Sequence, residues 1–389
     1  MGTIYLDHIS ATPLHPEVKR AMIDYIGNSF GNPVSQHRIG DAALEALEGA
    51  REKVAGLINA QPEEVVFTSG GTESINHAIK GVAFARAKGG KHIITSNIEH
   101  NAVLKSLRML EQVGYRVTSI PVDKFGLVDP DQLKNAITDE TILVSIMHAN
   151  NEIGTIEPIA EIGRIARERN VSFHCDAVAS AGVIPVDVGE MGVDLLSMAA
   201  NQFYGPSGVG ALYIRQKTEI WPLLDGGMQE SSRRGGTQNM VGIVGMGKAA
   251  ELAKAEMARR IEHVSELKKA FIDGLGLIDE IIVNGHPTQS LPNLASFSVS
   301  YVEGEAMMLL LDEEGICVST RSACASGSLR ASHVLLSIGL DYAMAQGTLL
   351  FSFGITNTLE EVERALAALK KVVATLRNIS PLYRKQKER

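Results

Sequence analysis

The sequence predicts an α/β protein with a large, mainly parallel sheet and a smaller second α/β region. Three observations lead there. Short apolar runs alternate with amphipathic helical patterns through the first two-thirds of the 389 residues, and such alternation produces parallel strands covered by helices. After Gly242 the pattern changes to one long helical stretch, to about Leu275, followed by new strand candidates, which places a boundary near residue 250. The length allows one large core and a second, smaller one.

Segments 65–68, 92–95, 117–120, 142–147 and 171–174 read as buried strands. Between residues 42 and 57 the apolar positions Leu44, Leu47, Val54 and Leu57 fall near helical spacing and predict an amphipathic helix. A further apolar strand starts at Leu195 and runs into the polar pair Asn201-Gln202, a Gly/Pro-rich turn and a strand over 211–214. In the second region 295–299, 317–319 and 349–353 are strand candidates, and 359–377 is the final helix before a basic tail, 384–389. There is no internal repeat.

Composition narrows the function classes. A hydrophobic content of 45% and a charged content of 21% are ordinary for a globular domain. The net charge of −8 argues against nucleic acid as a main partner. No apolar run reaches the length of a membrane span. Residues 1–10 carry neither a basic nor an apolar signal region, so export is not expected. Gly2 is followed by Leu6 where a myristoylation motif needs Ser or Thr. With three cysteines, a disulfide framework is not expected and the cytoplasm is the expected compartment.

Five segments carry the chemistry. Phe67-Thr68-Ser69-Gly70-Gly71-Thr72-Glu73 runs from a strand through a glycine pair into a helix, where free N–H groups form an anion site. His100 sits in Ile98-Glu99-His100-Asn101, and alone would read as structural. Met147 to Thr155 contains the pair Asn150-Asn151, and Phe173-His174-Cys175-Asp176 ends a strand on an aspartate that by itself would read as a helix N-cap. Arg234-Gly235-Gly236-Thr237 is a basic, glycine-rich loop. Finally, Cys324 lies among small polar residues in 318–328, a poor context for a core-filling cysteine, whereas Cys175 and Cys317 sit in apolar strands and read as buried and inert.

In this order, and over nearly the whole chain, these segments resemble the cysteine desulfurases, the NifS/IscS group of fold-type I pyridoxal-phosphate enzymes. The resemblance implies that architecture, with a large domain over 15–250 and a small domain made of 1–14 and 251–389. It implies that Thr72 contacts the cofactor phosphate, His100 stacks on the ring, Asn151 reaches its phenolic oxygen and Asp176 pairs with its ring nitrogen. Thr237 would reach the phosphate site of the other subunit of a homodimer, and Cys324 would accept sulfur and present it to an IscU-type scaffold protein.

The departures from the pattern cluster around the cofactor. Gln202 stands where the family has the lysine that bonds the cofactor covalently, and a carboxamide has no basic nitrogen to move a proton. Asn201 replaces a histidine, Ala179 a glutamine and Ala199 a serine; Ile355 replaces the arginine for the substrate carboxylate, and Leu350 another arginine. A lost general acid/base costs roughly 10²- to 10⁴-fold in rate. A buried carboxylate without its arginine loses about 3–5 kcal/mol. Arg321 is the one new cation in the loop of Cys324 that could partner that carboxylate.

The expectation is therefore a degenerate desulfurase acting in iron–sulfur cluster assembly. Pyridoxal phosphate would bind weakly or not at all, and never covalently. Cys324 would be the sulfur acceptor or a ligand of a [2Fe–2S] cluster shared with the scaffold, with sulfide supplied from outside. Two alternatives stay open: a surviving desulfurase that holds the cofactor non-covalently, and a non-catalytic regulatory paralogue.

Overall fold

The computed structural model describes residues 2–320, 331–381 and 383. In chain order the elements are β1 (Ile4–Tyr5), α1 (Pro16–Asn28), α2 (Arg38–Leu57), β2 (Val65–Thr68), α3 (Gly71–Ala85), β3 (His92–Ser96), α4 (Asn101–Gln112), β4 (Arg116–Ile120), α5 (Pro130–Ala136) and β5 (Thr141–Met147). There follow α6 (Ile159–Glu168), β6 (Ser172–Asp176), α7 (Val188–Met191), β7 (Leu195–Ala199), β8 (Gly210–Ile214), α8 (Met240–Leu275), β9 (Ile281–Val283) and β10 (Leu294–Val299). The remainder is α9 (Gly304–Glu313), β11 (Ile316–Cys317), α10 (His333–Ser337), α11 (Tyr342–Gln346), β12 (Thr348–Ser352) and α12 (Leu359–Ile379).

Seven strands form one sheet in the order β2-β8-β7-β6-β5-β3-β4. The pairs β4–β3, β3–β5, β5–β6 and β6–β7 are parallel, while β8 runs antiparallel to both its neighbours. Both faces are covered, so the central strands are apolar on both sides. Phe67, Val144, Phe173, Leu196 and Met198 pack on one face with α2 and the first half of α8. Val66, Ile93, Leu143, Leu195 and Leu212 pack on the other with α3 and α4.

The edge strand β2 is closed by side chains rather than by another strand. Arg51 Nη1 donates to Val65 O at 2.8 Å, and the Glu230 carboxylate accepts the Phe67 N–H at 2.9 Å. The two side chains also pair with each other, Nη1 to Oε2 at 2.6 Å and Nη2 to Oε1 at 3.0 Å. An exposed strand edge invites pairing with another chain, and this buried pair removes the invitation.

A second core surrounds the antiparallel sheet β12-β10-β9 and the short parallel pair β1–β11. Phe271, Phe297 and Phe351 meet there with ring centroids 4.5–5.8 Å apart. Ile4, Leu6, Ile316 and the buried face of α12 complete it. A capping box of Thr358 and Glu361 starts α12. Helix α8 serves both cores: Met246 and Ala250 belong to the first, Leu267 and Phe271 to the second. Among the described residues no helix is long and apolar enough to cross a membrane.

Three local expectations change. The strand expected over 171–174 lies at 172–176, so the aspartate is its last residue. Leu44 is on the solvent side of α2, because the buried stripe runs through Ala43, Leu47, Ala50 and Val54 instead. Cys317 is half-buried rather than buried, at the rim where β11 pairs with β1, and its thiol lies 3.7 Å from Asp312 Oδ1. The basic tail 384–389 lies outside the described residues.

Glu157 makes stability depend on pH. Its Oε2 accepts the Val128 N–H at 2.9 Å and ties the 122–128 turn to the loop before α6. Burial pushes its carboxyl from 4.5 up to about 8, against the lowering effect of that N–H. The folded chain thus keeps a proton that the unfolded chain has lost. The contribution is complete below the unfolded value and is lost as pH rises towards 8. Above about pH 6.5, where the buried histidines are neutral in both the folded and the unfolded chain, urea midpoints should fall as pH rises to about 8, and Glu157→Gln should flatten that slope.

Candidate active site

In an open α/β sheet, ligands bind beyond the carboxyl ends of the strands. Here β2, β3, β5, β6 and β7 all end at one cavity of about 310 Å³. Each strand contributes the residues just past its end: Gly71 and Thr72 after β2, His100 after β3, Asn151 after β5, and Ala199, Asn201 and Gln202 at β7, while Asp176 closes β6. Ile9 and Ser10 of the N-terminal segment form another wall.

Two glycines shape the anion side. Gly70, at φ +145°, has a conformation that side chains disfavour. A Cβ on Gly71 would come within 2.6 Å of Val178 Cγ2, a neighbour that also lines the cavity. The start of α3 has no side-chain cap from Gly70, so its first N–H groups remain available.

Asp176 is 5% exposed. Burial raises its pKa, while the Val178 N–H on Oδ1, at 3.0 Å, and the charge of His100 work in the opposite direction. Residues 178–184 form turns and bridges rather than a helix, so Asp176, whose Oδ1 accepts the Val178 N–H, is not a helix N-cap. Beneath it, His174 bridges Ser145 and Ser197 across β5, β6 and β7, each at 2.9 Å, and burial lowers its pKa to about 3. A neutral imidazole thus underlies the carboxylate.

His100 has two jobs. Its Nδ1 accepts the Ala102 N–H at 3.1 Å and caps α4, while the ring lines the cavity. That hydrogen bond leaves Nε2 as the protonated nitrogen of the neutral ring. The asparagine pair also divides its labour. Asn150 is fully buried, donating to Ile98 O and accepting from the N–H groups of Glu152 and Ile153, so Asn151 is the one free to face the cavity.

Gln202 lines the same cavity, its Nε2 donating to Ile9 O at 3.3 Å. Among the described residues no lysine lines it. Ala179 and Ala199 line it too, so four of the departures noted in the sequence share one wall. The other predicted residues lie elsewhere. Ile355 is outside the wall, its N–H donating to Tyr204 Oη at 2.9 Å. Leu350 is fully buried behind the wall with Ile9, Ala149 and Ala179. Thr237 is exposed and does not line this cavity, while Cys324 and Arg321 lie outside the described residues.

Glu99 was not singled out by its sequence. It is fully buried, accepts from Ser96 Oγ at 2.6 Å and the Met147 N–H at 3.0 Å, and joins the ends of β3 and β5. Burial raises its pKa well above the ordinary value, with Asp176 and Glu157 adding to the effect. Its place between an apolar strand and His100 was the available signal: a charged residue inside an otherwise buried run.

The comparisons place this site in a family. The aminotransferase class-V model matches residues 4–365. The chain belongs to the class-V aminotransferase family. It is 52% identical over 379 residues to the cysteine desulfurase IscS of Dictyoglomus turgidum, covering 97% of this chain and 96% of the relative. It is 50% identical over 383 residues to the IscS of Methanosarcina thermophila, covering 98% and 95%. A solved NifS-like protein superposes with a TM-score of 0.91 at 38% identity, over 96% of this chain and 100% of that one. The chain is thus a homologue of the IscS/NifS cysteine desulfurases with their pyridoxal-phosphate fold.

The close approach at Gly71 gives a direct test of the anion side. Gly71→Ala should cost about 1–3 kcal/mol through overpacking against Val178. Val178→Ala in the same chain should recover most of it. A double-mutant cycle by chemical denaturation measures the coupling.

Proposed function

We propose that this protein mobilises sulfur from L-cysteine as a cysteine desulfurase, with pyridoxal phosphate held non-covalently in the cavity and Cys324 as the sulfur acceptor. One observation carries the reading: Thr72, His100, Asn151 and Asp176 converge on a single cavity that also holds Gln202 and, among the described residues, is lined by no lysine. The names of the relatives support the substrate.

The donor set fits a phosphorylated pyridine. The open N–H groups at the start of α3 and the Thr72 hydroxyl suit the phosphate, and the buried Asp176 carboxylate suits a ring N–H⁺. When bound, the cofactor supplies an electron sink for cleavage beside the amino-acid carbon. The protein must orient the substrate and move protons. Gln202 can donate and accept hydrogen bonds but cannot exchange a proton, which leaves His100 Nε2 as the proton-carrying atom in the wall. In the net reaction the C–S bond of cysteine breaks, an S–S bond forms on Cys324, and the thiol proton ends on alanine.

A second reading is favoured by Gln202 together with the apolar Ile355: a degenerate desulfurase in cluster assembly. Cys324 would then be a ligand of a [2Fe–2S] cluster shared with an IscU-type scaffold, with sulfide coming from elsewhere. A regulatory paralogue without chemistry is the third.

Both catalytic readings assume a cytoplasmic homodimer, with Thr237 serving the partner's phosphate site. The depression lined by Val34, Leu44 and Met228, and the exposed Ile23, Ile26, Phe30 and Trp221, support an apolar subunit contact. The proposed division into 15–250 and 1–14 with 251–389 is supported by the two separate cores.

Anaerobic sulfide release from L-cysteine, abolished in Cys324→Ala, is the expected result, along with cofactor that is lost on dialysis. Gln202→Lys should retain cofactor after dialysis and after borohydride reduction, and should raise the rate by roughly 10²-fold or more. If the wild type releases no sulfide but assembles a cluster from iron and free sulfide with a scaffold, and Cys324→Ser does not, the second reading replaces the first.

A further inference from the structure

The anion cradle at the head of α3 contains a carboxylate of its own. Glu73, in the first turn, accepts the Ser69 N–H on Oε2 at 2.7 Å. It therefore occupies one backbone donor beside the cradle and sets a negative charge next to the others. Left alone, that charge would oppose any anion bound there. Arg234 closes on the same carboxylate, Nε to Oε1 at 2.9 Å and Nη2 to Oε2 at 3.3 Å. The side chains are 10% and 18% exposed, so solvent screens the pair weakly. Burial pushes the Glu73 carboxyl up, but the Arg234 and Ser69 hydrogen bonds outweigh it and hold the group below its ordinary value.

Arg234 arrives at this position already ordered. The Gly235 N–H donates to Leu224 O at 2.9 Å, and a Cβ on Gly235 would come within 2.7 Å of Gly226 Cα. Just upstream, Glu230, Ser231 and Ser232 have φ of 49°, 56° and 63°, three successive left-handed residues without a glycine. Such a turn is strained and persists only where its surroundings hold it. Here the Glu230 carboxylate is held by Arg51, the Phe67 N–H and Gln238 Nε2. The loop is thus fastened twice to the β2–α3 junction, once through Glu230 on the strand and once through Arg234 on the helix.

We propose that the Glu73–Arg234 pair sets the charge of the cradle, and that Arg234 thereby governs the affinity of the site for a phosphate monoester. Arg234 is a positioning residue: it neutralises Glu73 and touches the ligand only through that carboxylate. The proposal rests on the cavity reading above, and it fixes signs that a purely structural pair would not produce. Loss of Arg234 exposes a negative charge and weakens anion binding. Loss of Glu73 leaves a positive charge and does not weaken it.

The test compares wild type with Arg234→Met, Arg234→Lys, Glu73→Gln and the double variant Glu73→Gln/Arg234→Met, at low and high salt. Binding of inorganic phosphate, pyridoxal 5′-phosphate and pyridoxal is measured by equilibrium dialysis. Arg234→Met should weaken binding of both phosphate-bearing probes by roughly 5- to 20-fold at low salt, and less at high salt. Arg234→Lys keeps the charge but loses the two-bond contact, so it should bind more weakly than wild type and clearly more tightly than Arg234→Met. Glu73→Gln should bind as tightly as wild type or more tightly, and the double variant should return close to it. The proposal is overturned if Arg234→Lys is as weak as Arg234→Met, or if the double variant stays weak. If the phosphate order holds but pyridoxal 5′-phosphate binds no better than phosphate itself, the cavity reading fails and the charge inference stands. If pyridoxal 5′-phosphate binds and all variants are alike, the inference falls and the cavity reading stands. No binding of any probe overturns both.

Discussion

The parallel hydrogen bonding of β3, β5, β6 and β7 brings their carboxyl ends to one side of the sheet, and the chemistry of the chain depends on that alignment. Residue pairs Met147–Asp176 and Asp176–Ser197 stand directly opposite each other across the ladder. The register carries His174 between Ser145 and Ser197 and leaves Asp176 two residues further, on the same face. A one-residue slip in β6 would turn Cys175 to that face and bury the carboxylate in the apolar core that Phe173 and Cys175 now fill. The cavity is therefore a property of register before it is a property of any side chain.

Several polar groups are committed to keeping those strand ends apart at fixed distances. Glu99 joins β3 to β5, Asn150 closes the turn after β5, and the Asp176 carbonyl accepts the His148 N–H. Each is buried and makes at least one hydrogen bond, while the second oxygen of Glu99, Oε2, has no partner among the described residues. Gln202 and the carbonyl of Ile9 add a contact from the N-terminal segment, which also anchors the second core through β1. The wall of the cavity is consequently shared between the first residues of the chain and the strand ends of the sheet.

Much of this was legible in the chain itself. The alternation of apolar strands and amphipathic helices specifies a doubly covered parallel sheet, because buried parallel strands need apolar residues on both faces. Glycines at 70 and 71 announce a close turn, and Asp176 stands out as a charge ending a buried run. Other features were not legible. Leu44 has the spacing of a core residue but faces outwards, since helical period alone does not say which neighbour a face will meet. Glu99 sits inside a motif that directs attention to His100, although the buried carboxyl is what joins two strands. The covered edge of β2 needed a partner 163 residues away, Glu230, which no local pattern discloses.

Helix α8 has a mechanical consequence. At 36 residues it spans roughly 54 Å, and its two halves are buried in different cores. Most helical stability in proteins comes from the tertiary contacts of one face, so each half of α8 leans on its own core. If either core melts, half of the rod loses its support and begins to fray toward the other half. The shaft therefore connects the two packing units through one unbroken run of helical backbone, from Met246 in the first core to Phe271 in the second, with no loop between them.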